Sequence, residues 1–280
     1  MLFWLLYTFS RLRRSSKRMT LGRFLRQQTA RSCQAAPVFI FLLLFVTPVW
    51  GAGVSKVSFP TVDDHRDALY CRPEGAGPFP AVIFNHGSIV DGLGWPGATK
   101  RGYQLDAICQ TLAEDGFLAF APIREKVPRG RGWQSYDERY QEVVARAIDY
   151  VKTLQDVDSS RIGLMGFSMG GLISLKVAVE GKDLRAVLLL APAWGRGLLG
   201  DEVQKVPSLN APVLLLVEAG DEPQILKGVA MLEKALQANK KEVRVIRYNR
   251  GGGHELFYKV DYYWPDVRDF LREKLGGAPK

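Results

Sequence analysis

The chain has 280 residues, with 38 Lys and Arg against 29 Asp and Glu, and its formal net charge is +9. Eight of the basic residues precede residue 37, in a segment that contains no acid. Without these eight, 30 basic residues face 29 acidic ones, and the charge falls to about +1. The basic charge therefore does not indicate a nucleic-acid partner, and the remaining length allows one sizeable domain.

Residues 1–53 have the pattern of an N-terminal leader. The basic segment is followed by an unbroken apolar run over 38–46 and then by Gly51-Ala52-Gly53. This order is typical of a secretory signal peptide, and the run is short for a membrane span. The basic region is long, so Met19 is a candidate for the true start, and Cys33 precedes the apolar run, which argues against a lipid anchor. We expect an exported protein, periplasmic or secreted; a retained signal anchor that tethers it to the membrane and a mitochondrial presequence are the alternatives.

From residue 54 to residue 280 strand and helix patterns alternate. Residues 57–70 are predicted to form opening antiparallel strands. The later strands are predicted at 81–84, 117–121, 162–167, 186–190, 213–217 and 243–248. Short apolar strands that alternate with helices predict an α/β domain with a mostly parallel central sheet and helices on both faces.

Three helices are clear from the pattern. One is expected from Ser135, where Ser135 and Glu138 form a capping box, to Leu154. The segment 169–180 is apolar on all sides, as a helix pressed onto a sheet would be, and another helix begins at Pro223. Only about twenty residues separate the strands at 186–190 and 213–217, so we expect no large lid domain and an open site.

The central motif is Gly166-Phe167-Ser168-Met169-Gly170, a G-x-S-x-G sequence between a predicted strand and a predicted helix. On a sharp strand-to-helix turn a serine exposes its Oγ, and flanking glycines let the backbone bend without a Cβ clash. A glycine-rich turn with an incidental serine is the structural alternative. The context favours Ser168 as a nucleophile.

A serine hydroxyl needs a base within hydrogen-bond reach, and His254 is the only histidine after Ser168. Asp221 follows the strand at 213–217 and His254 follows the strand at 243–248. Catalytic groups of parallel sheets gather beyond the carboxyl ends of the strands, and the order Ser, acid, His is the one expected here. Asp221 could instead cap the next helix, with Glu218 or Glu222 as the acid.

An oxyanion hole is predicted from two backbone N–H groups, those of Ser88 and of Met169, the residue after the nucleophile. Ser88 belongs to the turn Asn85-His86-Gly87-Ser88 at the end of the first central strand. We interpret His86 as structural and hydrogen-bonded beneath this loop. His65 lies in a charged stretch and is expected in a solvated turn.

The sequence implies no cofactor and no metal site. Residues 195–200 match G-x-G-x-x-G, with Glu218 about twenty residues later, but Pro207 and Pro212 interrupt the helix that a dinucleotide would need at its pyrophosphate. Beyond the leader only Cys71 and Cys109 remain, too few for a metal site. They could pair in an oxidising compartment or stay as two buried thiols.

From about residue 57 to 275 the chain resembles α/β-hydrolases of the dienelactone-hydrolase-like group, which grade into the prolyl-oligopeptidase catalytic domains. The matching segments are 80–87, 128–130, 158–162, 166–171, the acid segment ending in Asp221, and 248–257. The resemblance implies a nucleophile, aspartate and histidine triad that acts on esters or lactones. Dienelactone hydrolases proper use a cysteine nucleophile, whereas this chain has Ser168.

The sequence thus predicts an exported serine hydrolase that cleaves small-molecule carboxylic esters or lactones through an acyl-enzyme on Ser168. A prolyl-oligopeptidase-type peptidase and a non-catalytic binding protein on the same fold are the alternatives. The loop that carries Arg124, Arg129, Arg131 and Trp133 is expected near the mouth of the site. It is interpreted as solvated, with selection of an anionic or aromatic acyl group as the other reading.

Overall fold

The computed structural model describes residues 53–62, 64–124 and 137–276. Eight strands form one sheet in the order β1-β2-β4-β3-β5-β6-β7-β8. The strands are β1 (Val54–Pro60), β2 (His65–Cys71), β3 (Phe79–Asn85), β4 (Leu118–Pro122), β5 (Val157–Phe167), β6 (Ala186–Leu190), β7 (Val213–Glu218) and β8 (Val243–Tyr248). The pairs β1/β2 and β2/β4 are antiparallel and all others are parallel. The mostly parallel sheet agrees with the prediction.

Burial explains why these residues form strands. Every residue of β3, β4, β6 and β7 is buried, as expected for parallel strands covered on both faces, which appear in the sequence as continuous apolar runs. The two edge strands, β1 and β8, are largely exposed or half-buried. The six later strands predicted from the sequence are confirmed within a few residues, although β5 begins at Val157 rather than at residue 162.

Seven helices accompany the sheet in the described part of the chain. They are α1 (Ser88–Lys100), α2 (Leu105–Glu114), α3 (Asp137–Val151), α4 (Met169–Val179), α5 (Leu198–Gln204), α6 (Pro223–Ala238) and α7 (Trp264–Leu275). Helix α4 is buried at every residue, as predicted. The predicted cap at Ser135 lies outside the described residues.

Helices lie on both faces of the sheet, as expected. Within β5, a Cβ on Gly163 would face Leu271 and Leu275 of α7, whereas a Cβ on Gly166 would face the backbone of α4. Side chains three residues apart on a strand point to opposite faces. Helices α7 and α4 therefore cover opposite sides of the central strand, and β5 is enclosed between them.

One local expectation was wrong. His65 is exposed but opens strand β2 instead of lying in a turn, because it pairs with Pro60 across the β1/β2 ladder. The segment 195–200 leads into helix α5, which begins at Leu198, before the last glycine of the G-x-G-x-x-G match. This helix has only seven residues and ends before Pro207, so the prolines limit its length rather than abolish it.

Cys71 at the end of β2 and Cys109 in α2 form a disulfide, with 5.7 Å between their Cα atoms. Both residues are almost fully buried. The structure thus decides between the two readings that the sequence left open. The bond attaches helix α2 to the antiparallel side of the sheet.

Among the described residues, no helix has both the length and the apolar character that a bilayer crossing requires. The leader predicted at residues 1–53 lies almost wholly outside the described residues.

Replacing both Cys71 and Cys109 with Ala should lower the free energy of unfolding by about 4 kcal/mol, because the bond closes a loop of 38 residues in the unfolded chain. Urea unfolding without reductant measures this difference. Reductant should lower the urea unfolding midpoint of the wild-type protein toward that of the variant. The intact mass of the reduced protein should rise by the mass of two hydrogens. Identical unfolding midpoints for wild type and variant would contradict the role of this bond.

Candidate active site

Ser168 occupies the turn between β5 and α4 with φ 54° and ψ −118°. A non-glycine residue in this region costs about 1–3 kcal/mol and persists only where its surroundings fix it. Here the backbone of Ser168 is fixed by hydrogen bonds to the end of β6, to helix α4 and to the segment that follows β6. The Ser168 N–H donates to the Leu190 carbonyl at 2.9 Å, and the Ser168 carbonyl accepts from the N–H groups of Leu172 at 3.1 Å and Ala193 at 2.9 Å. The strained serine is therefore locked between β6 and α4.

The glycines of the motif have a different role from the one expected. Neither has a positive φ. A Cβ on Gly170 would overlap the Asn85 carbonyl at the end of β3, and a Cβ on Gly166 would overlap the Gly170 carbonyl. These glycines allow close approach of helix α4 to the strands, whereas the unusual backbone angles belong to Ser168 itself.

The structure brings the three predicted residues together. The Ser168 Oγ lies 2.8 Å from Nε2 of His254, and Nδ1 of His254 lies 3.1 and 3.0 Å from the two carboxylate oxygens of Asp221. Because Asp221 accepts at Nδ1, the ring proton is assigned to Nδ1, which leaves Nε2 free to accept from the serine hydroxyl. The Asp221 side chain is fully buried, whereas that of His254 is 21 % exposed.

The alternative acids do not contact His254. Glu218 is buried and its carboxylate accepts from backbone N–H groups of Gly220, Arg250 and Gly251. Glu222 is exposed and occupies the N-cap position of α6. Asp221 is therefore not the cap of this helix, and it is the carboxylate that orients the imidazole.

The imidazole of His254 packs against a cluster of aromatic rings. The Phe167 ring lies 4.7 Å from the His254 ring, centroid to centroid, and packs against Phe257 and Tyr258. Tyr103 contacts both Phe167 and Tyr258. This packing restricts the motion of the histidine through contacts that hydrogen bonds alone would not supply.

The residues predicted for the oxyanion hole are the first residues of two helices. Ser88 begins α1 and Met169 begins α4, and the N–H groups of a first helical residue have no partner within the helix. Both residues line the same cavity as Ser168. The neighbouring Gly87 N–H donates instead to the Tyr103 hydroxyl at 3.4 Å. The Gly87 N–H is therefore engaged by a side chain, which leaves the Ser88 N–H as the candidate donor of this loop.

A buried polar cluster lies beneath the loop. His86 is fully buried, its Nε2 accepts from the Arg124 N–H at 3.2 Å, and its Nδ1 bonds to the Gly87 carbonyl at 3.0 Å. Burial and the guanidinium of Arg124 hold the pKa of His86 well below its usual value. The structural interpretation of His86 is confirmed.

Arg124 is buried, which corrects its interpretation as part of a solvated loop. Its guanidinium makes two bonds to the Asp91 carboxylate, at 3.2 and 2.8 Å, and one to the His86 carbonyl at 2.7 Å. Arg124 is buried and not solvated because the carboxylate of Asp91 gives its guanidinium a partner in the interior. Arg129, Arg131 and Trp133, named with it, lie outside the described residues.

The cavity at Ser168 has a volume of about 390 Å³, near the lower end for small-molecule sites. Its walls include Trp194, Ile225 and Tyr258, which the sequence analysis did not identify. Trp194 fits between α5 and α6, where its ring approaches the positions that a Cβ on Gly200 or Gly228 would take. Only the folded chain brings these separate elements to the serine.

No cluster of three or more metal-ligating side chains occurs within residues 53–62, 64–124 and 137–276. Oxygen and nitrogen groups around Ser168 are instead arranged as a hydrogen-bonded chain. Such a chain can move a proton from a hydroxyl to an imidazole and stabilise the resulting cation.

Comparison with known proteins assigns the family. Residues 67–261 match the model of the dienelactone hydrolase family, and the chain belongs to this family of hydrolases. It is 27 % identical over 254 residues to a putative carboxymethylenebutenolidase of Salmonella typhi, covering 82 % of this chain and 88 % of that protein. The corresponding Escherichia coli K12 protein is 28 % identical over 243 residues, with 78 % and 83 % covered.

Solved structures show the same fold. A putative dienelactone hydrolase from Klebsiella pneumoniae has a TM-score of 0.60 at 22 % identity, with 80 % of this chain and 97 % of that chain covered. The acylaminoacyl peptidase of Pyrococcus horikoshii has a TM-score of 0.64 at 17 % identity, with 83 % and 43 % covered. At these identities the likeness establishes the α/β-hydrolase fold.

Replacing Gly170 with Ala should destabilise the protein by at least about 3 kcal/mol, because the overlap with the Asn85 carbonyl can be relieved only by moving backbone. Thermal and urea unfolding measure the effect. Gly92 in α1 is a matched control, since a Cβ there meets no atom within 4 Å. Gly92→Ala should be neutral or slightly stabilising. Equal stability of the two variants would contradict the proposed close approach.

Proposed function

We propose that this chain is an exported serine hydrolase that cleaves carboxylic esters, lactones included, through an acyl-enzyme on Ser168. The observation that carries the proposal is the continuous chain of contacts from the Ser168 hydroxyl through His254 to Asp221. Membership of a hydrolase family supports the reaction type.

In the first half-reaction, Nε2 of His254 takes the Ser168 proton as the oxygen attacks the ester carbonyl. Asp221 accepts from Nδ1 and stabilises the imidazolium that forms. The proton then passes from Nε2 to the leaving alcohol. The same geometry lets His254 take a proton from water in the second half-reaction, which releases the acid and restores the serine.

The negative charge on the tetrahedral oxygen would be stabilised by the N–H groups of Ser88 and Met169. Each begins a helix, so the partial positive charge of two helix N-termini adds to the two hydrogen bonds. A donor of this kind is worth about 3 kcal/mol of the barrier. The Tyr103 hydroxyl, by holding the Gly87 N–H, supports the direction of the loop.

The substrate class is proposed from the site and from the relatives. The names of the relatives, putative carboxymethylenebutenolidases, point to a cyclic ester. The cavity wall is in part apolar and aromatic, with Ile89, Trp194 and Ile225. A compact ester or lactone with an apolar acyl part suits such a wall.

Ser168→Ala should lower kcat/KM for p-nitrophenyl acetate by at least about 10³-fold, because the nucleophile and its partners act as a unit. It should also abolish labelling by a fluorophosphonate probe. Ser159→Ala is the matched control, since Ser159 is exposed near the start of β5 and lies outside the motif. The control should keep full turnover and labelling.

Full labelling of Ser168→Ala would exclude Ser168 as the nucleophile. A wild-type protein that reacts with no activated ester and no phosphonate would favour a binding protein on the same fold. Turnover of amino-acyl anilides in preference to esters would favour a peptidase, a reading prompted by the fold shared with acylaminoacyl peptidase.

Export is proposed from the basic segment, the apolar run and the small residues of the leader. The Cys71–Cys109 bond supports it, because disulfides persist in oxidising compartments. We expect N-terminal sequencing of the mature protein to begin shortly after the small residues at 51–53. Recovery of protein with residue 1 intact would contradict cleavage, and recovery in the membrane fraction with the leader attached would favour the signal anchor.

A further inference from the structure

We infer that Glu218 is a positioning residue that holds the acid loop (219–222) and the histidine loop (249–254) in mutual register. This inference rests on the proposed function, since its value lies in placing His254 against Asp221. It gives a role to a buried glutamate that does not touch the imidazole.

The contacts of Glu218 link the two loops directly. One carboxylate oxygen accepts from the N–H groups of Arg250 at 2.9 Å and Gly251 at 3.0 Å, both in the histidine loop. The other oxygen accepts from the N–H of Gly220 in the acid loop. A single side chain at the end of β7 therefore anchors the backbone on either side of the Asp221–His254 contact.

The histidine loop needs such an anchor because of its sequence. Gly251, Gly252 and Gly253 have φ values of 81°, 91° and 51°, a left-handed path that glycine alone adopts readily. The same three glycines give the unfolded loop unusual freedom, so its order must come from outside contacts. The two bonds to Glu218 fix the start of this path, four and three residues before His254.

The two loops also touch one another. A Cβ on Gly253 would lie 3.0 Å from the Gly220 carbonyl oxygen, and the Ala219 N–H donates to the Tyr248 carbonyl at 2.8 Å. Glu218 is 1 % exposed, so water does not compete for its bonds. A buried carboxylate with three N–H donors is a stronger tether than neutral bonds of the same length.

The hydrogen-bonding capacity of Glu218 explains why a glutamine would not replace it. Both carboxylate oxygens of Glu218 accept from backbone N–H groups. An amide has only one oxygen, so its NH₂ group would face at least one of these N–H groups. One loop would then lose its anchor while the volume of the side chain stayed the same. Glu218→Gln is therefore the informative variant.

The test compares Glu218→Gln with a control variant, Glu202→Gln. The control removes the charge of a second buried glutamate, which lies in α5 and pairs with Lys205 at 3.0 Å. Glu218→Gln should lower kcat for p-nitrophenyl acetate by about 10- to 100-fold, as small misplacements of reacting groups do, with KM changed less than about twofold. Glu202→Gln should keep kcat near wild type even where its melting temperature falls. Assays are run at a temperature at which circular dichroism shows all proteins folded.

Hydrogen exchange gives a readout that does not depend on activity. The amides of Arg250 and Gly251 should exchange faster in Glu218→Gln than in wild type and Glu202→Gln, while the amides of β7 keep their protection. Glu218→Asp, which keeps the charge but shortens the reach, should show the same loss of protection and a similar fall in kcat. It serves as the second variant if Glu218→Gln does not fold.

Unchanged kcat and unchanged exchange in both Glu218 variants would overturn the inference. Equal losses of kcat in Glu218→Gln and Glu202→Gln would also overturn it, because a general loss of stability would then explain both. If wild type hydrolyses no ester, the proposed function fails, and the exchange measurement still decides whether Glu218 anchors the two loops.

Discussion

The site depends on the backbone of Ser168, which is held at a positive φ by bonds to Leu190, Leu172 and Ala193. A strained residue stays in place only if the surrounding structure is rigid, and here three fully buried elements, β3, β6 and α4, meet around it. The hydroxyl is consequently presented at the cavity without needing any rearrangement. The buried sheet thus provides the stability that keeps the turn strained.

Buried polar groups orient the loops that surround Ser168. Arg124 and Asp91 pair beneath the loop that carries the Ser88 amide. Glu218 gathers the N–H groups of the loops that carry Asp221 and His254. Arg124, Asp91 and Glu218 each make at least two such bonds, which is the condition under which burial of a charge is tolerated. These bonds thereby hold the loops that carry the Ser88 amide, Asp221 and His254 in one arrangement.

Much of the fold was predictable because its strands are short apolar runs with little ambiguity, as in β6 and β7. The bounds of helices α1, α2, α5 and α7 were not predicted from the sequence. Helix α1 contains Gly94 and Pro96, and its backbone departs from helical angles at Gly94, so its periodicity is broken. For Arg124, a charged residue in a loop appeared solvated, because the sequence cannot show that Asp91, 33 positions away, would be its buried partner.

The sequence by itself determined the alternation of strands and helices, the motif around Ser168 and the positions of Asp221 and His254 after their strands, because these features are local or follow from chain order. Tertiary structure decided which carboxylate meets the imidazole, that Cys71 and Cys109 join, and which distant side chains form the cavity. The reason is physical: the reach of a side chain is a few ångströms, whereas Ser168 and His254, which meet at this site, are 86 positions apart along the chain. Their distances are set by how the sheet and its helices pack, and no local pattern contains that information.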